Sequence, residues 1–250
     1  MSPARLIGLL AALLVAVAGL GYLASLTLLA PAEIDVSQQQ AYVAAPVPAE
    51  AAAPVAPAGE PVGVPVVDAG WLATNAEASG VPEPALRAYA TAQLRVDKSC
   101  SLGWTTLAGI GWVESQHGTI GDRVLQADGH SSSRILGPAL DGSGSFAAIP
   151  ATPESTMWHG NDRWDHAVGP MQFIPTTWDI WGSDGDGDGV SDPNDLDDAA
   201  YAAARYLCAD GHDLTTGQGW ADAIFSYNHA QTYVDAVHSA ATAYAERTSR

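Results

Sequence analysis

The hydrophobic positions of the chain divide it into three segments of different character. Leu6 to Ala30 is a run of 25 residues without a charge. A helix of that length rises about 37 Å, which exceeds the roughly 30 Å of a bilayer's hydrocarbon core. Arg5 directly precedes the run and favours a cytoplasmic N-terminus. Residues 1–30 are therefore predicted to form an uncleaved membrane anchor, with a cleaved signal peptide as the alternative.

Residues 31–67 show no hydrophobic period and are rich in proline and alanine. They contain seven Pro, ten Ala, four acids and no base. Such a composition cannot bury a core and favours an extended, partly polyproline II chain. We interpret the segment as a linker. Because an anchor and a signal peptide would both export the rest of the chain, the linker and the remaining domain are expected at the extracytoplasmic face of the membrane or in the cell wall.

Residues 68–250 are predicted to form one globular domain. An apolar spacing of three and four residues recurs through this segment and indicates helices, so the predicted fold class is mainly α. Helices are expected after Pro82 and Pro84, over Trp104 to Glu114, after the caps Asp197 and Asp198, and over Trp220–Tyr227 and Thr232–Ala245. Residues 118–167 are rich in Gly, Ser, Asp and Pro and show no period, which is typical of a long functional loop.

The charge balance excludes one class of partner. The chain has 28 acidic and 10 basic residues and a net charge of −18, and 24 of the acids lie in residues 68–250. A nucleic-acid-binding protein needs a basic face against phosphate, so no nucleic-acid partner is expected. Hydrophobic residues make up 47% of the chain, which is enough for a normal core.

Cys100 and Cys208 are the two cysteines of the chain. In an oxidising compartment, two cysteines near predicted helix ends most simply form one disulfide. A catalytic thiol would need a partner base and an electropositive setting, and Lys98 is near Cys100 in the sequence. We therefore predict a Cys100–Cys208 disulfide.

An acidic loop between residues 184 and 195 has the spacing of a calcium site. Oxygen ligands fall at loop positions 1, 3, 5, 7 and 9, with Gly189 at position 6. Position 12 is Asp195 where Glu is usual, and Asp198 could supply the last ligand instead. The predicted Ca²⁺ ligands are Asp184, Asp186, Asp188, the Val190 carbonyl, Asp192, Asp195 and Asp198. A solvated acidic turn is the alternative.

Glu114 is the candidate for acid catalysis. The chain contains no HExxH, P-loop or G-x-S-x-G motif, and its seven His include no i,i+4 pair. Glu114 ends an apolar helix and follows Trp112 and Val113. Burial of its carboxyl would raise its pKa, so that it could donate a proton near neutral pH, as a glycosidase acid must.

Two further strings and the aromatic content support a sugar-binding site. Gly169 to Trp178 reads GPMQFIPTTW, with Gln172 between two large apolar residues. Ala223 to His229 places Tyr227 and Asn228 together at a predicted helix end. Eight Trp and eight Tyr against three Phe favour surfaces that stack on sugars, although most of these rings are expected in the core.

At these residues the chain resembles the lytic murein transglycosylases, specifically the membrane-bound type B branch in an actinobacterial form. Three ordered blocks carry the resemblance, namely Gly111 to Ser115, Gly169 to Trp178, and Tyr227-Asn228. The stretch from Ile135 to Gly142 and the acidic loop are also features of that branch. The resemblance covers about residues 80–248 and implies a lysozyme-like domain with an inserted EF-hand-like calcium loop.

The resemblance also implies a reaction and residue roles. The reaction is a lyase-type cleavage of the MurNAc–GlcNAc β-1,4 bond of peptidoglycan that leaves a 1,6-anhydro end. Glu114 would act as the acid and then as the base. Ser115 would orient it, Met171, Gln172 and Phe173 would bind the glycan, and Tyr227 and Asn228 would hold the acid and the sugar. Ala230 departs from the pattern, because a Ser often follows the Tyr-Asn pair.

Two other functions remain open at the level of sequence. A hydrolytic muramidase on the same fold would need a second carboxylate, for which Asp165 and Asp179 are candidates. A calcium-stabilised module that binds peptidoglycan without cleaving it is the non-enzymatic alternative. In each case the expected partners are glycan strands and, through the N-terminal helix, the membrane, and the catalytic domain is expected to be monomeric.

Overall fold

The structure is a computed structural model that describes residues 63–143, 147–209 and 211–249. The predicted anchor at residues 1–30 and most of the predicted linker at 31–67 lie outside the described residues. Within the described ranges, no helix combines the length and the apolar character needed to cross a membrane.

The described residues form eight α-helices and one pair of short strands. In chain order the elements are α1 (Ala69–Ser79), α2 (Glu83–Arg95), α3 (Trp104–Ser115), β1 (Leu136–Ala139), α4 (Pro153–His159), β2 (His166–Val168), α5 (Pro175–Trp181), α6 (Leu196–Ala209), α7 (Gly217–Tyr227) and α8 (Gln231–Thr248). The mainly α fold class is thus confirmed. Helix α1 was not predicted; it starts where the Asp68 side chain accepts a hydrogen bond from the Trp71 backbone N–H.

The start of α6 differs from the prediction. The helix begins at Leu196, so Asp197 and Asp198 lie inside its first turn instead of capping it. Asp195 provides the cap, because its Oδ1 accepts a hydrogen bond from the Asp197 backbone N–H at 2.8 Å. Asp197 instead forms an ion pair of 2.6 Å with Arg87 on α2.

Residues 118–167 contain short elements that the sequence pattern did not show. Helix α4 begins with a reciprocal capping box between Thr152 and Ser155. Strands β1 and β2 pair antiparallel, with Leu136 opposite Val168 and a bulge in the pairing. A hydrophobic period cannot be recognised in strands of three and four residues, which explains why the prediction missed them.

Helix α3 is the centre of the core. It packs against α8 and α2, and α2 in turn packs against α6. Trp104, Leu107 and Ile110 of α3 are completely buried. Gly111 permits the close approach of α2, because a Cβ at this position would collide with the hydroxyl of Tyr89. The last turn of the most buried helix is therefore held in place from several sides.

The predicted disulfide between Cys100 and Cys208 is confirmed. It joins a short 3-10 turn after α2 to the last turn of α6 and closes a loop of 108 residues. This loop contains α3, both strands and the acidic segment.

Candidate active site

Glu114 lies in the last turn of α3 and accepts a hydrogen bond from the hydroxyl of Tyr233. The O–O distance is 2.6 Å, and the partners are 119 residues apart in sequence. Burial raises the pKa of Glu114 to about 7, while the Tyr233 hydroxyl acts in the opposite direction because it stabilises the charged form. The expected rise in the pKa of Glu114 is confirmed, and the carboxyl can exchange a proton near neutral pH.

Tyr233 is a site residue that the sequence prediction missed. It lies in the first turn of α8, and its side chain is 8% exposed. The apolar side of α8, with Val234 and Val237, faces the core. A buried tyrosine on such a side normally needs a hydrogen-bond partner for its hydroxyl, and that requirement is the signal that could have indicated it.

Ser115 fixes the end of α3 to the turn that comes after β2. Its Oγ donates to the Pro170 carbonyl at 2.6 Å and accepts from the Gly118 backbone N–H at 2.8 Å. Gln116 has a left-handed backbone, with φ at 53°, and ends the helix. Ser115 is completely buried and acts on Glu114 only indirectly, by fixing the end of α3. The hydroxyl that contacts the Glu114 carboxyl belongs to Tyr233.

His117 forms a buried hydrogen-bonded group behind the candidate acid. Its Nδ1 lies 3.1 Å from the Tyr89 hydroxyl and its Nε2 lies 2.9 Å from the Tyr244 hydroxyl. Burial lowers the pKa of His117 to about 3, so the imidazole is neutral at physiological pH. The group ties the segment after Glu114 to α2 and α8 without placing a charge behind it.

Gln172 has a constrained backbone and side chain. Its φ is 52°, a left-handed value that is uncommon for a residue with a Cβ and is often found at functional sites. Its Nε2 donates to the Gly169 carbonyl at 2.8 Å. A Cβ on Gly137 of β1 would lie 2.8 Å from Gln172 Oε1, so an alanine there would displace the amide from its present position. The side chain remains partly exposed, as a substrate-binding group must.

Tyr227 contacts both the turn that carries Gln172 and the ring of Tyr233. The Tyr227 hydroxyl donates to the Met171 carbonyl at 2.8 Å, and the Tyr227 ring stacks on Tyr233 at 6.5 Å. Met171 is fully buried and Phe173 is 3% exposed, which disfavours direct contact of their side chains with a glycan. Asn228 ends α7. Tyr227 thus supports the turn at residues 169–172 and the Tyr233 ring. The hydrogen bond to Glu114 that was expected from Tyr227 comes from Tyr233.

Neither candidate for a second catalytic carboxylate contacts Glu114. Asp165 is 1% exposed; its Oδ1 accepts from Ser155 Oγ at 2.5 Å and lies 3.1 Å from His159 Nε2. Asp179 lies exposed on α5. Among the described residues, no charged neighbour contributes to the shifted pKa of Glu114.

The acidic loop brings three of the predicted ligands together. One carboxylate oxygen each from Asp184, Asp186 and Asp188 lies within 4.8 Å of the others. Hard oxygen donors at this spacing suit Ca²⁺. The loop is also organised by its own hydrogen bonds, because Asp184 accepts from the Gly187 and Gly189 backbone N–H groups.

The carboxylates of Asp192, Asp195 and Asp198 have other partners in this structure. Asp198 accepts hydrogen bonds from the backbone N–H groups of Gly185 and Asp192 and so closes the loop. Asp195 caps α6 and lies 3.6 Å from His130 Nδ1, and burial raises its pKa to about 7. Val190 is exposed. Calcium coordination by these residues stays a prediction.

Comparison with known proteins finds one family that matches a part of the chain. Residues 160–224 match the family described as "Transglycosylase SLT domain". No curated protein matches the chain. Similar solved structures include the Escherichia coli lytic transglycosylase Slt35 in complex with bulgecin A and with calcium, and a 36 kDa muramidase/transglycosylase. Each of these structures is 15% identical to this chain, and each match covers 74% of it. In the same order, the matches cover 77%, 77% and 78% of the other chains, and the TM-scores are 0.44, 0.45 and 0.45.

Proposed function

We propose that the protein is a peptidoglycan lytic transglycosylase that cleaves the MurNAc–GlcNAc β-1,4 bond and leaves a 1,6-anhydro end. The observation that supports this most is the setting of Glu114, a carboxyl with a pKa near 7 that is hydrogen-bonded to Tyr233. The match of residues 160–224 to a transglycosylase domain supports the same reaction class, and it contains Gln172.

Glu114 would act twice in one turnover. In its protonated form it donates a proton to the glycosidic oxygen while the C1–O bond breaks, and the MurNAc acetamide stabilises the positive charge at C1. The resulting carboxylate then accepts the proton of the sugar's own 6-hydroxyl, whose oxygen attacks C1 and closes the anhydro ring. A nucleophile on the substrate removes the need for a bound water and gains from proximity. A pKa near 7 suits both steps.

Tyr233 would serve the second half of this cycle. Its hydrogen bond favours the carboxylate form of Glu114, which exists after the first proton has been donated. Gln172 would hold the glycan through its amide, because its backbone, Gly169 and Gly137 fix its direction. We expect Asn228, at the end of α7, to act on the sugar.

Calcium would have a structural role. The donor set of Asp184, Asp186 and Asp188 fits Ca²⁺, and an ion there would neutralise carboxylates that otherwise repel each other. The loop leads directly into α6, which packs against α2 in the core. The protein would act at the extracytoplasmic face of the membrane, where residues 1–30 would anchor it.

The test is digestion of purified peptidoglycan by the full chain, with mass analysis of the fragments. We expect anhydro ends from the wild type and none from Glu114→Gln, whose amide has nearly the same shape. Asp165→Asn and Asp179→Asn test the hydrolytic alternative, which requires a second acid and yields reducing ends. Full activity of Glu114→Gln would disprove the proposed role. Binding of peptidoglycan without any released fragment would favour the non-enzymatic module.

A further inference from the structure

His166 lies on β2, the strand that leads into the turn with Gln172, and no step of the proposed reaction uses it. Its Nδ1 lies 2.8 Å from the Gly137 carbonyl oxygen on β1, and its Nε2 lies 3.0 Å from Asn161 Nδ2. Both ring nitrogens of this partly exposed histidine therefore have a partner. The side chain connects β2 with β1 and with the segment that follows α4.

The partners of His166 determine which ring nitrogen carries the proton. A carbonyl oxygen only accepts hydrogen bonds, so Nδ1 is protonated and donates to Gly137. Nε2 then accepts from the Asn161 amide. That amide cannot be reversed without loss, because its Oδ1 accepts from the backbone N–H groups of Arg163 at 2.9 Å and Trp164 at 3.2 Å. The imidazole therefore has one preferred orientation, in which it donates one hydrogen bond to β1.

A buried histidine on α4 packs against the His166 ring. The ring centroids of His159 and His166 are 5.3 Å apart, and His159 is 6% exposed. The Nδ1 of His159 accepts from the Asn161 backbone N–H at 3.1 Å, so its Nε2 donates to Asp165. Asp165 also accepts from Ser155. These buried polar groups are paired with one another, and such a network rigidifies the structure against which His166 packs.

Gly137, which accepts the hydrogen bond from His166, is the surface against which the Gln172 amide lies. A Cβ on Gly137 would lie 2.8 Å from Gln172 Oε1, so the amide oxygen is close to the backbone of this glycine. The nitrogen of the same amide donates to the Gly169 carbonyl at 2.8 Å. The pairing of β1 with β2 is irregular around Gly137. Because a bulge disrupts the strand ladder locally, the hydrogen bond from His166 adds a constraint that regular pairing does not supply there.

We propose that His166 is a positioning residue for glycan binding. Its Nδ1–H holds the Gly137 peptide, and Gly137 in turn determines where the Gln172 amide oxygen lies. The inference rests on the proposed function, because the glycan is the ligand that Gln172 would bind. In this role His166 acts through Gly137 and needs no contact with the sugar, so it affects KM and leaves the proton transfers of Glu114 unchanged.

Two amide variants distinguish the two ring nitrogens of His166. The side-chain nitrogen of Asn can reach the place of Nδ1, whereas that of Gln can reach the place of Nε2. His166→Asn should therefore keep the hydrogen bond to Gly137, and His166→Gln should lose it. With the full chain acting on peptidoglycan, we expect KM to rise about three- to tenfold in His166→Gln, the effect of one lost hydrogen bond, with kcat little changed. His166→Asn should keep KM close to that of the wild type.

The control is His238→Gln, the same exchange at a partly buried histidine on α8, which should leave KM unchanged. A wild-type KM in His166→Gln would overturn the inference. So would an equal rise of KM in His166→Asn and His166→Gln, because a general structural role would not distinguish the two nitrogens.

NMR spectroscopy of the nitrogen-labelled full chain separates failure of this inference from failure of the proposed function, since it needs no turnover. In the wild type we expect the His166 proton on Nδ1. The side-chain amide signal of Gln172 should shift in His166→Gln and keep its position in His166→Asn. A proton on Nε2 alone would overturn the inference even where a variant does not fold, and so would an unmoved Gln172 signal in His166→Gln. The expected signals without any cleavage of peptidoglycan would support the positioning role and contradict the proposed reaction.

Discussion

The hydroxyl of Tyr233 lies 2.6 Å from Glu114 Oε1, so the first turn of α8 reaches the last turn of α3 through one hydrogen bond. The same bond opposes the effect of burial on the pKa of the acid. Two competing influences, loss of solvent and one hydroxyl, therefore set the protonation of Glu114.

Replacing Tyr233 by Phe should shift the activity to higher pH. The Tyr233 hydroxyl lowers the pKa of Glu114, so its loss raises that pKa above about 7 and moves the alkaline decline of kcat upward. We also expect a lower kcat at the optimum, by roughly tenfold, because the carboxylate loses a charge-assisted hydrogen bond. The measurement is a pH profile of kcat. Tyr201→Phe, on α6, is the control; an unmoved alkaline limb in Tyr233→Phe would contradict the assignment.

The raised pKa of Glu114 should also appear in the stability of the fold. Between about pH 4.5 and 7 the folded form keeps a proton that the unfolded chain releases, so burial of Glu114 lowers the free energy of unfolding as pH rises through this window. Glu114→Gln should remove this penalty and be more stable than wild type at pH 8 by about 1–3 kcal/mol, after allowance for partial exposure. Urea unfolding of both proteins at pH 4 and pH 8 measures the difference in their free energies of unfolding. The same difference at both pH values would refute the prediction.

Gly137→Ala should impair substrate binding without unfolding the protein. The new Cβ would lie 2.8 Å from Gln172 Oε1, the end of a flexible side chain, so the amide moves while the backbone stays. We expect a several-fold increase in KM with little change in kcat or Tm. Gly70→Ala in α1, whose Cβ would meet only Asp68 Oδ1 at 3.2 Å, serves as the control. An unchanged KM would show that Gln172 does not hold the glycan.

Calcium should raise the melting temperature, and EDTA should lower it. Asp184, Asp186 and Asp188 converge within 4.8 Å, and an ion that binds only the folded form stabilises it by mass action. Asp186→Asn should abolish most of the calcium-induced shift, whereas Asp162→Asn, an exposed carboxylate elsewhere, should retain it. The readout is Tm against calcium concentration. A wild-type protein that responds to neither addition would have no such site.

The Cys100→Ala/Cys208→Ala double variant should unfold at lower denaturant concentration. The disulfide closes a loop of 108 residues, so its loss increases the entropy of the unfolded chain and costs about 3–5 kcal/mol in the chain-entropy model. Denaturant titration under oxidising conditions measures the change. A midpoint equal to that of the wild type would mean that native contacts alone hold the two helix ends.

Features that depend on residues close together in sequence could be predicted, and, apart from the disulfide, contacts between distant residues could not. The helices with an apolar period, the disulfide and the raised pKa of Glu114 depend on local pattern or on burial of one group, and all were predictable. Tyr233 could not be paired with Glu114, because their contact joins residues 119 apart and depends on how α8 packs against α3. For Met171 the sequence motif was visible, but the role of the residue was not. Its backbone carbonyl accepts a hydrogen bond from Tyr227, and its side chain is buried.

The hydrogen bond from Ser115 to the Pro170 carbonyl has a consequence for protein engineering. The segment that matches the transglycosylase domain, residues 160–224, contains the turn with Gln172 but neither the acid nor Tyr233. Transplanting that segment alone into another scaffold would transfer the proposed glycan-binding turn without the proposed proton donor. A graft would also have to include residues 111–118 and 227–233. These two segments and residues 160–224 contact one another and would have to be transferred together.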